Sequence, residues 1–139
     1  MTARIVDIGS VGDLADLGQT DAVTVGVVTG DCTGIALAAA CTVDLLYCAP
    51  DSCFGRAESW TEYVLDRATV LVGRRMAGYL AMSGRLLTAQ RMARLGFVNT
   101  VATDPHTKAQ AVAELIRQRP ATAIRTVLTQ TRRIQWISP

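Results

Sequence analysis

Nucleophilic or metal chemistry in this chain would fall to Cys32, Cys41, Cys48, Cys53 and His106. No two of the cysteines form a C-x-x-C pair, and the only histidine lies far along the chain. Zinc normally takes closely paired thiolates or imidazoles, so no metal site is expected. The thiols read as small buried hydrophobes. Cys32 is the one that could differ, because it sits in the turn-like run Gly30-Asp31-Cys32-Thr33-Gly34. A thiolate nucleophile needs a neighbouring base, and the sequence points to none. His106 follows Asp104-Pro105 and reads as an exposed residue at a helix start. Arg74, Arg75, Arg132 and Arg133 read as solvated.

The elements that must position these groups follow from pattern. Residues 22–29, AVTVGVVT, are β-branched and nearly all apolar, which predicts a strand buried on both faces. The glycine turn ends it. Ile35 to Thr42 is small and alanine-rich and predicts a buried helix. Val43 to Cys48 predicts a second strand, Ala49 to Ser52 a turn, and Cys53 to Gly55 a short extended return. From Trp60 the spacing becomes helical, with Tyr63, Val64, Ala68, Leu71 and Val72 on one face, and Gly73 interrupting. Gly84 suits a left-handed cap, and Thr88 an N-cap before Ala89 to Leu95. Asp104-Pro105 opens another helix, with Ala109, Val112, Ala113 and Ile116 inward. A last helix over 121–134 would turn Ile124, Val127 and Leu128 inward. Residues 1–20 read as an irregular segment containing a short strand at Ile5 to Ile8.

At 139 residues, half of them apolar, the chain is long enough for one domain with its own core. High apolar content and a net charge of only +2 exclude disorder as the main state. Arginines scattered among few aromatics argue against a nucleic-acid partner. No apolar run is long enough to span a membrane, and no secretory h-region is seen at the start, so a cytoplasmic protein is expected. In that setting disulfides are not expected.

The order of strand, glycine turn, small-residue helix, Asp44, strand and Phe54-Gly55 resembles the crotonase (enoyl-CoA hydratase/isomerase) superfamily. The stretch is VGVVTGDCTGIALAAACTVDLLYCAPDSCFG, Val25 to Gly55. A second stretch, MSGRLLTAQRMARLGFVNTV from Met82 to Val101, is similar to the family's helix-glycine-strand segment. The resemblance implies an α/β, crotonase-like spiral core, N-terminally reduced, with C-terminal helices. It implies one domain over 1–139, divided into the irregular 1–20, an oxyanion core over 21–58 and a helical part over 59–139.

The resemblance also implies a site. In the family, backbone amides at a helix N-terminus hold a thioester carbonyl as it becomes an enolate. The matching amide here belongs to Ile35, beside Gly34. Ser10-Val11-Gly12-Asp13-Leu14 is similar to the segment that supplies the second amide, which puts Gly12 or Val11 in that role. Of the two family carboxylates, the first position is Ala38, which cannot move a proton. The second is Glu58, expected in a partly apolar pocket as a single shuttle acid/base. Cys32, Thr33, Ala38 and Trp60 would border the acyl group. The implied substrate is an acyl-CoA or carrier-protein thioester, the coenzyme A being part of the substrate and no other cofactor needed. Isomerisation of an enoyl thioester fits one carboxylate better than hydration. The arginines named above could meet a coenzyme A phosphate. A homo-oligomer, trimer or hexamer, is expected, with Trp60 and Trp136 as packing residues. The alternative is a catalytically degenerate homologue serving as an oligomeric scaffold or a ligand- or partner-binding protein.

Overall fold

The computed structural model describes residues 1–133. Position 134, the end of the expected last helix, and Trp136, expected as a packing residue, lie outside the described residues. The chain runs β1 (Ala3–Asp7), α1 (Ala15–Gln19), β2 (Val23–Val28), β3 (Asp31–Cys32), α2 (Ile35–Thr42), β4 (Leu45–Cys48) and β5 (Cys53–Phe54). It continues with α3 (Glu62–Val72), α4 (Arg74–Ser83), β6 (Leu87–Thr88), α5 (Ala89–Arg94), β7 (Thr100–Val101), α6 (Pro105–Arg117) and α7 (Ala121–Thr131). Single 3-10 turns stand at Ile8–Ser10 and Ala57–Ser59.

Two sheets form. The larger is all parallel in the order β1-β2-β4-β7, and the smaller has the order β3-β5-β6. The segment expected to be irregular, 1–20, holds a full strand. β1 pairs with β2 along its whole length, from Ala3 opposite Val23 to Asp7 opposite Val27. Its arginine and aspartate hide the apolar pattern in sequence: Arg4 and Asp7 are exposed on opposite faces, while Ala3 and Val6 are buried.

β2 is buried at every position, as expected of a strand covered on both faces. Its residues divide with period two. Val23, Val25 and Val27 meet Ala109 and Ala113 of α6 and Leu128 of α7. The other face joins Val28, Leu46 and Cys48 to α2, whose Leu37, Ala39 and Ala40 are buried. Gly26 lies on this second face. A β-carbon there would come within 2.9 Å of Ile8 Cδ1 and of Val43 Cγ2, so glycine lets the Ile8 turn and the end of α2 close over the strand.

The expected caps form. Gly84 ends α4 at φ 63°, Thr88 Oγ1 accepts from Arg91 N at 3.2 Å, and Asp104 Oδ1 accepts from Thr107 N at 3.2 Å. Two inward expectations fail: Leu71 is 41% and Val127 54% exposed. Each sits on the flank of a helix that buries only a narrow stripe, so periodicity alone put it on the wrong side.

Arg132 differs more sharply from its expectation. Its guanidinium donates from Nε to Asp44 Oδ1 at 2.8 Å and from NH2 to Asp44 Oδ2 at 2.7 Å. It also donates to the carbonyls of Thr20 at 2.6 Å and Ala22 at 2.9 Å. Asp44 Oδ2 accepts in addition from the N–H and hydroxyl of Thr24, at 2.8 and 3.0 Å. The hydrogen bond to Asp44, opposed by partial burial, holds the Arg132 guanidinium above its ordinary range. This arginine is a clasp between the end of α7 and the sheet, and is not a solvated charge.

Candidate functional site

Parallel pairing decides where the loops gather. The turn after β1 (8–14), the turn after β2 (29–34) and the turn after β4 (49–58) all leave the same carboxyl edge of one sheet. That edge is where open parallel sheets bind ligands. It collects Gly12, Gly34, Ile35 and Glu58 from three separate places in the sequence.

The mouth of α2 is built locally. Gly34 caps the helix at φ 59°, ψ −130°, with open space where a β-carbon would lie. Glycine is therefore required for conformation there, not for room. The first amides are mostly engaged: Ala36 N donates to Thr33 O and Ala38 N to Gly34 O, both at 3.2 Å. Gly34 N donates to Ser59 Oγ at 2.8 Å. Among the described residues the Ile35 N–H has no hydrogen-bond acceptor. It opens the positive end of the helix dipole. The Ile35 side chain is 54% exposed, so it does not plug the core beneath.

Ser59 is the residue that sequence reasoning missed. It is 1% exposed, and its hydroxyl both accepts from Gly34 and donates to Gly55 O at 3.3 Å. It ties the Ala57–Ser59 turn to the helix mouth and so sets Glu58, its chain neighbour, beside that mouth. No spacing or periodicity marks a lone serine for this role. The turn is further constrained at Arg56, whose φ of 111° is unusual for a side-chain-bearing residue. Such backbone costs on the order of 1–3 kcal/mol and clusters at functional sites. The Arg56 guanidinium lies 3.8 Å from Asp31, both exposed.

Several predicted residues lie differently from expectation. Glu58 is solvent-exposed, not set in an apolar pocket, because its 3-10 turn gives the inward position to Ser59. Cys32 and Ala38 do not border an open acyl site. Cys32 is 0% and Ala38 8% exposed, both within the core, since β3 and α2 turn those positions inward. Burial pushes the Cys32 thiol strongly up, reinforced by Cys41 and Cys48. Burial likewise raises the thiol of Cys41 to about 12 and that of Cys48 to about 11. Thr33 is half-buried beside the mouth. Trp60 packs half-buried on the core cluster, and its Nε1 is buried with no hydrogen-bond partner among the described residues. Its Cζ2 is 3.9 Å from where a β-carbon of Gly55 would stand.

The two candidates for a second amide, Val11 and Gly12, differ in how their N–H groups are used. Val11 N already donates to Ile8 O at 3.4 Å, whereas Gly12 is exposed with nothing within 4 Å of a built β-carbon. Its N–H has no partner among the described residues. The Ile8–Ser10 turn before it packs against α2, as does the Ala57–Ser59 turn. A cleft of about 180 Å³ lies at the opposite end of α2, around Thr42, Arg67 and the Arg132–Asp44 clasp, away from Ile35. Among the described residues no three His, Cys, Asp or Glu side chains gather to hold a metal ion. No described helix is long and apolar enough to cross a membrane.

No protein-family model and no curated protein matches the chain in sequence. Solved structures do match in fold. The chain is similar to an enoyl-CoA hydratase from Mycobacterium smegmatis, at 25% identity and a TM-score of 0.74 over 84% of this chain and 56% of that one. It is similar to an enoyl-CoA hydratase from Thermoplasma volcanium GSS1, at 28% identity and 0.72 over 82% and 48%. An enoyl-CoA hydratase from Shewanella pealeana aligns at a TM-score of 0.76 with 18% identity, over 84% and 45%. The chain thus spans about half the length of the structures it matches. With its parallel sheet, second small sheet and glycine-led helix in the order expected, the chain has the crotonase-like fold of these enoyl-CoA hydratase structures.

Proposed function

We propose that the chain acts on an acyl thioester, CoA- or carrier-linked, with the carbonyl oxygen held by the Ile35 amide. The observation that carries this reading is the free Ile35 N–H at the mouth of α2, next to an amide already fixed by Ser59. A donor held in place by its neighbours stabilises a developing enolate without reorganising at the moment of reaction. The Gly12 N–H, on the same sheet edge, is the candidate second donor. Thr33 borders the mouth, and Trp60 packs half-buried beside Gly55, its indole N–H without a partner among the described residues.

Glu58 is the acid/base. It takes the α-proton of the enoyl thioester, and its protonated form returns that proton at the γ-carbon, which shifts the double bond. One carboxylate suffices for this, whereas adding water is better served by two, and the second position is Ala38. No cofactor beyond the thioester's own coenzyme A is invoked. A homo-oligomer, trimer or hexamer, would enclose Glu58, which this chain by itself leaves exposed.

The second reading is a catalytically degenerate scaffold or partner-binding protein. The exposure of Glu58 and the alanine at position 38 favour it. Incubation with 3-enoyl and crotonyl thioesters, following the conjugated enoyl absorbance, separates the two. The catalytic reading expects turnover that falls by roughly 10²-fold or more in Glu58→Gln, with the circular dichroism unchanged. Turnover that survives in Glu58→Gln would remove Glu58 from the chemistry, and no turnover in either protein would favour the scaffold.

A further inference from the structure

Residues 67–103 hold six of the fourteen basic side chains and none of the twelve acidic ones, so the remainder of the chain is net acidic. Folding turns this stretch into the end of α3, all of α4, β6, α5 and β7. Arg74, Arg75, Arg85, Arg91 and Arg94 are exposed, and among the described residues none has a carboxylate within ion-pair distance. Of these, Arg85 and Arg91 stand together on one face, where unneutralised like charge is an electrostatic cost.

The same face carries apolar surface. A cleft of about 270 Å³ runs between α4 and the β6–α5 segment, lined by Met76, Tyr79, Leu86 and Leu87 with Arg85 and Arg91 among them. Tyr79 is 48%, Leu86 43% and the neighbouring Met82 87% exposed. Tyr79 and Met82 stand three residues apart and so share one side of α4.

We propose that this cleft docks an acidic amphipathic helix of a partner protein, its apolar side chains in the groove and its carboxylates on Arg85 and Arg91. Helix-in-groove recognition combines apolar contacts in a concave site with charges of opposite sign to the ligand, and this cleft mixes Met76, Tyr79, Leu86 and Leu87 with Arg85 and Arg91. A bilayer is flat and offers no ridge to fill a cleft. A nucleic-acid strand would want aromatic stacking platforms, and Tyr79 is the one aromatic residue lining this cleft. None of these residues belongs to the mouth of α2, so the proposal stands or falls independently of the thioester chemistry.

The test uses the full chain and a fluorescein-labelled synthetic helical peptide with leucines on one face and glutamates on the other. Fluorescence anisotropy should show saturable binding that weakens with added salt. Binding should fall on the order of tenfold or more in the double variant Arg85→Glu, Arg91→Glu, and by less in Arg85→Gln, Arg91→Gln. Arg119→Glu, on the link after α6, should leave it unchanged. Equal binding of a peptide of the same composition with its apolar face scrambled would overturn the proposal. So would phosphatidylglycerol vesicles or a DNA oligonucleotide binding where the peptide does not. Loss of self-association in the double variant, with peptide binding absent throughout, would assign the groove to a second copy instead.

Discussion

At the scale of single residues, the site is decided by which polar atoms are already used. Gly34 N is held by Ser59 and Val11 N by the Ile8 carbonyl, whereas the Ile35 and Gly12 amides have no acceptor among the described residues. The cysteines divide in a comparable way. Cys32, Cys41 and Cys48 are buried, and desolvation holds each thiol well above its ordinary range, while Cys53 is half-exposed. Thiolate is the reactive form, so burial suppresses both access and ionisation. A chromogenic disulfide reagent at mildly alkaline pH should therefore titrate Cys53 quickly and the other three only once the chain is unfolded. Rapid modification of Cys32 in the folded protein would contradict the core placement and reopen it as a nucleophile. The sequence named Ile35, Gly34 and Glu58 through a motif, because a motif records chain order. It could not name Ser59, whose role depends on a hydrogen bond across twenty-five residues.

At the scale of elements, the central one is β2, sandwiched between α6–α7 on one face and α2 on the other. Its burial on both faces was legible, since an uninterrupted β-branched run admits little else. β1 was less legible, because its exposed charges Arg4 and Asp7 stand three residues apart and break any strand period in a short window. Gly26 marks the closest approach between β2 and its neighbours, with Ile8, Val43 and Leu46 all near 3 Å from a built β-carbon. Gly26→Val should destabilise the protein by about 1–3 kcal/mol through overpacking, read as a lower urea midpoint with an unchanged slope. Gly12→Ala, where a β-carbon meets open space, should leave the midpoint nearly unmoved. An equal loss in both would mean that packing over β2 is not what requires glycine at position 26.

At the scale of the whole molecule, the end of α7 is tied to the sheet by one ion pair. Arg132 reaches from the end of α7 to Asp44 at the start of β4, and to the carbonyls of Thr20 and Ala22 beside β2. Removing one partner of this partly buried pair leaves the other uncompensated, so Asp44→Ala should cost up to about 3–5 kcal/mol. Asp44→Ala with Arg132→Ala should cost less than the sum of the two single changes in a denaturation cycle; strict additivity would deny the clasp. Asp44 was visible in the sequence as part of the family's layout, but its partner was not, since eighty-eight residues separate them. The solved structures share the architecture, and the proposed chemistry rests on the α2 mouth. Backbone amide NMR tests that mouth most directly, by titrating the ¹⁵N-labelled chain with a CoA thioester. The Ile35 N–H should shift saturably, followed by that of Gly12, while amides of α6 stay fixed. Saturable binding that leaves Ile35 unmoved, or no binding at all, would contradict the account.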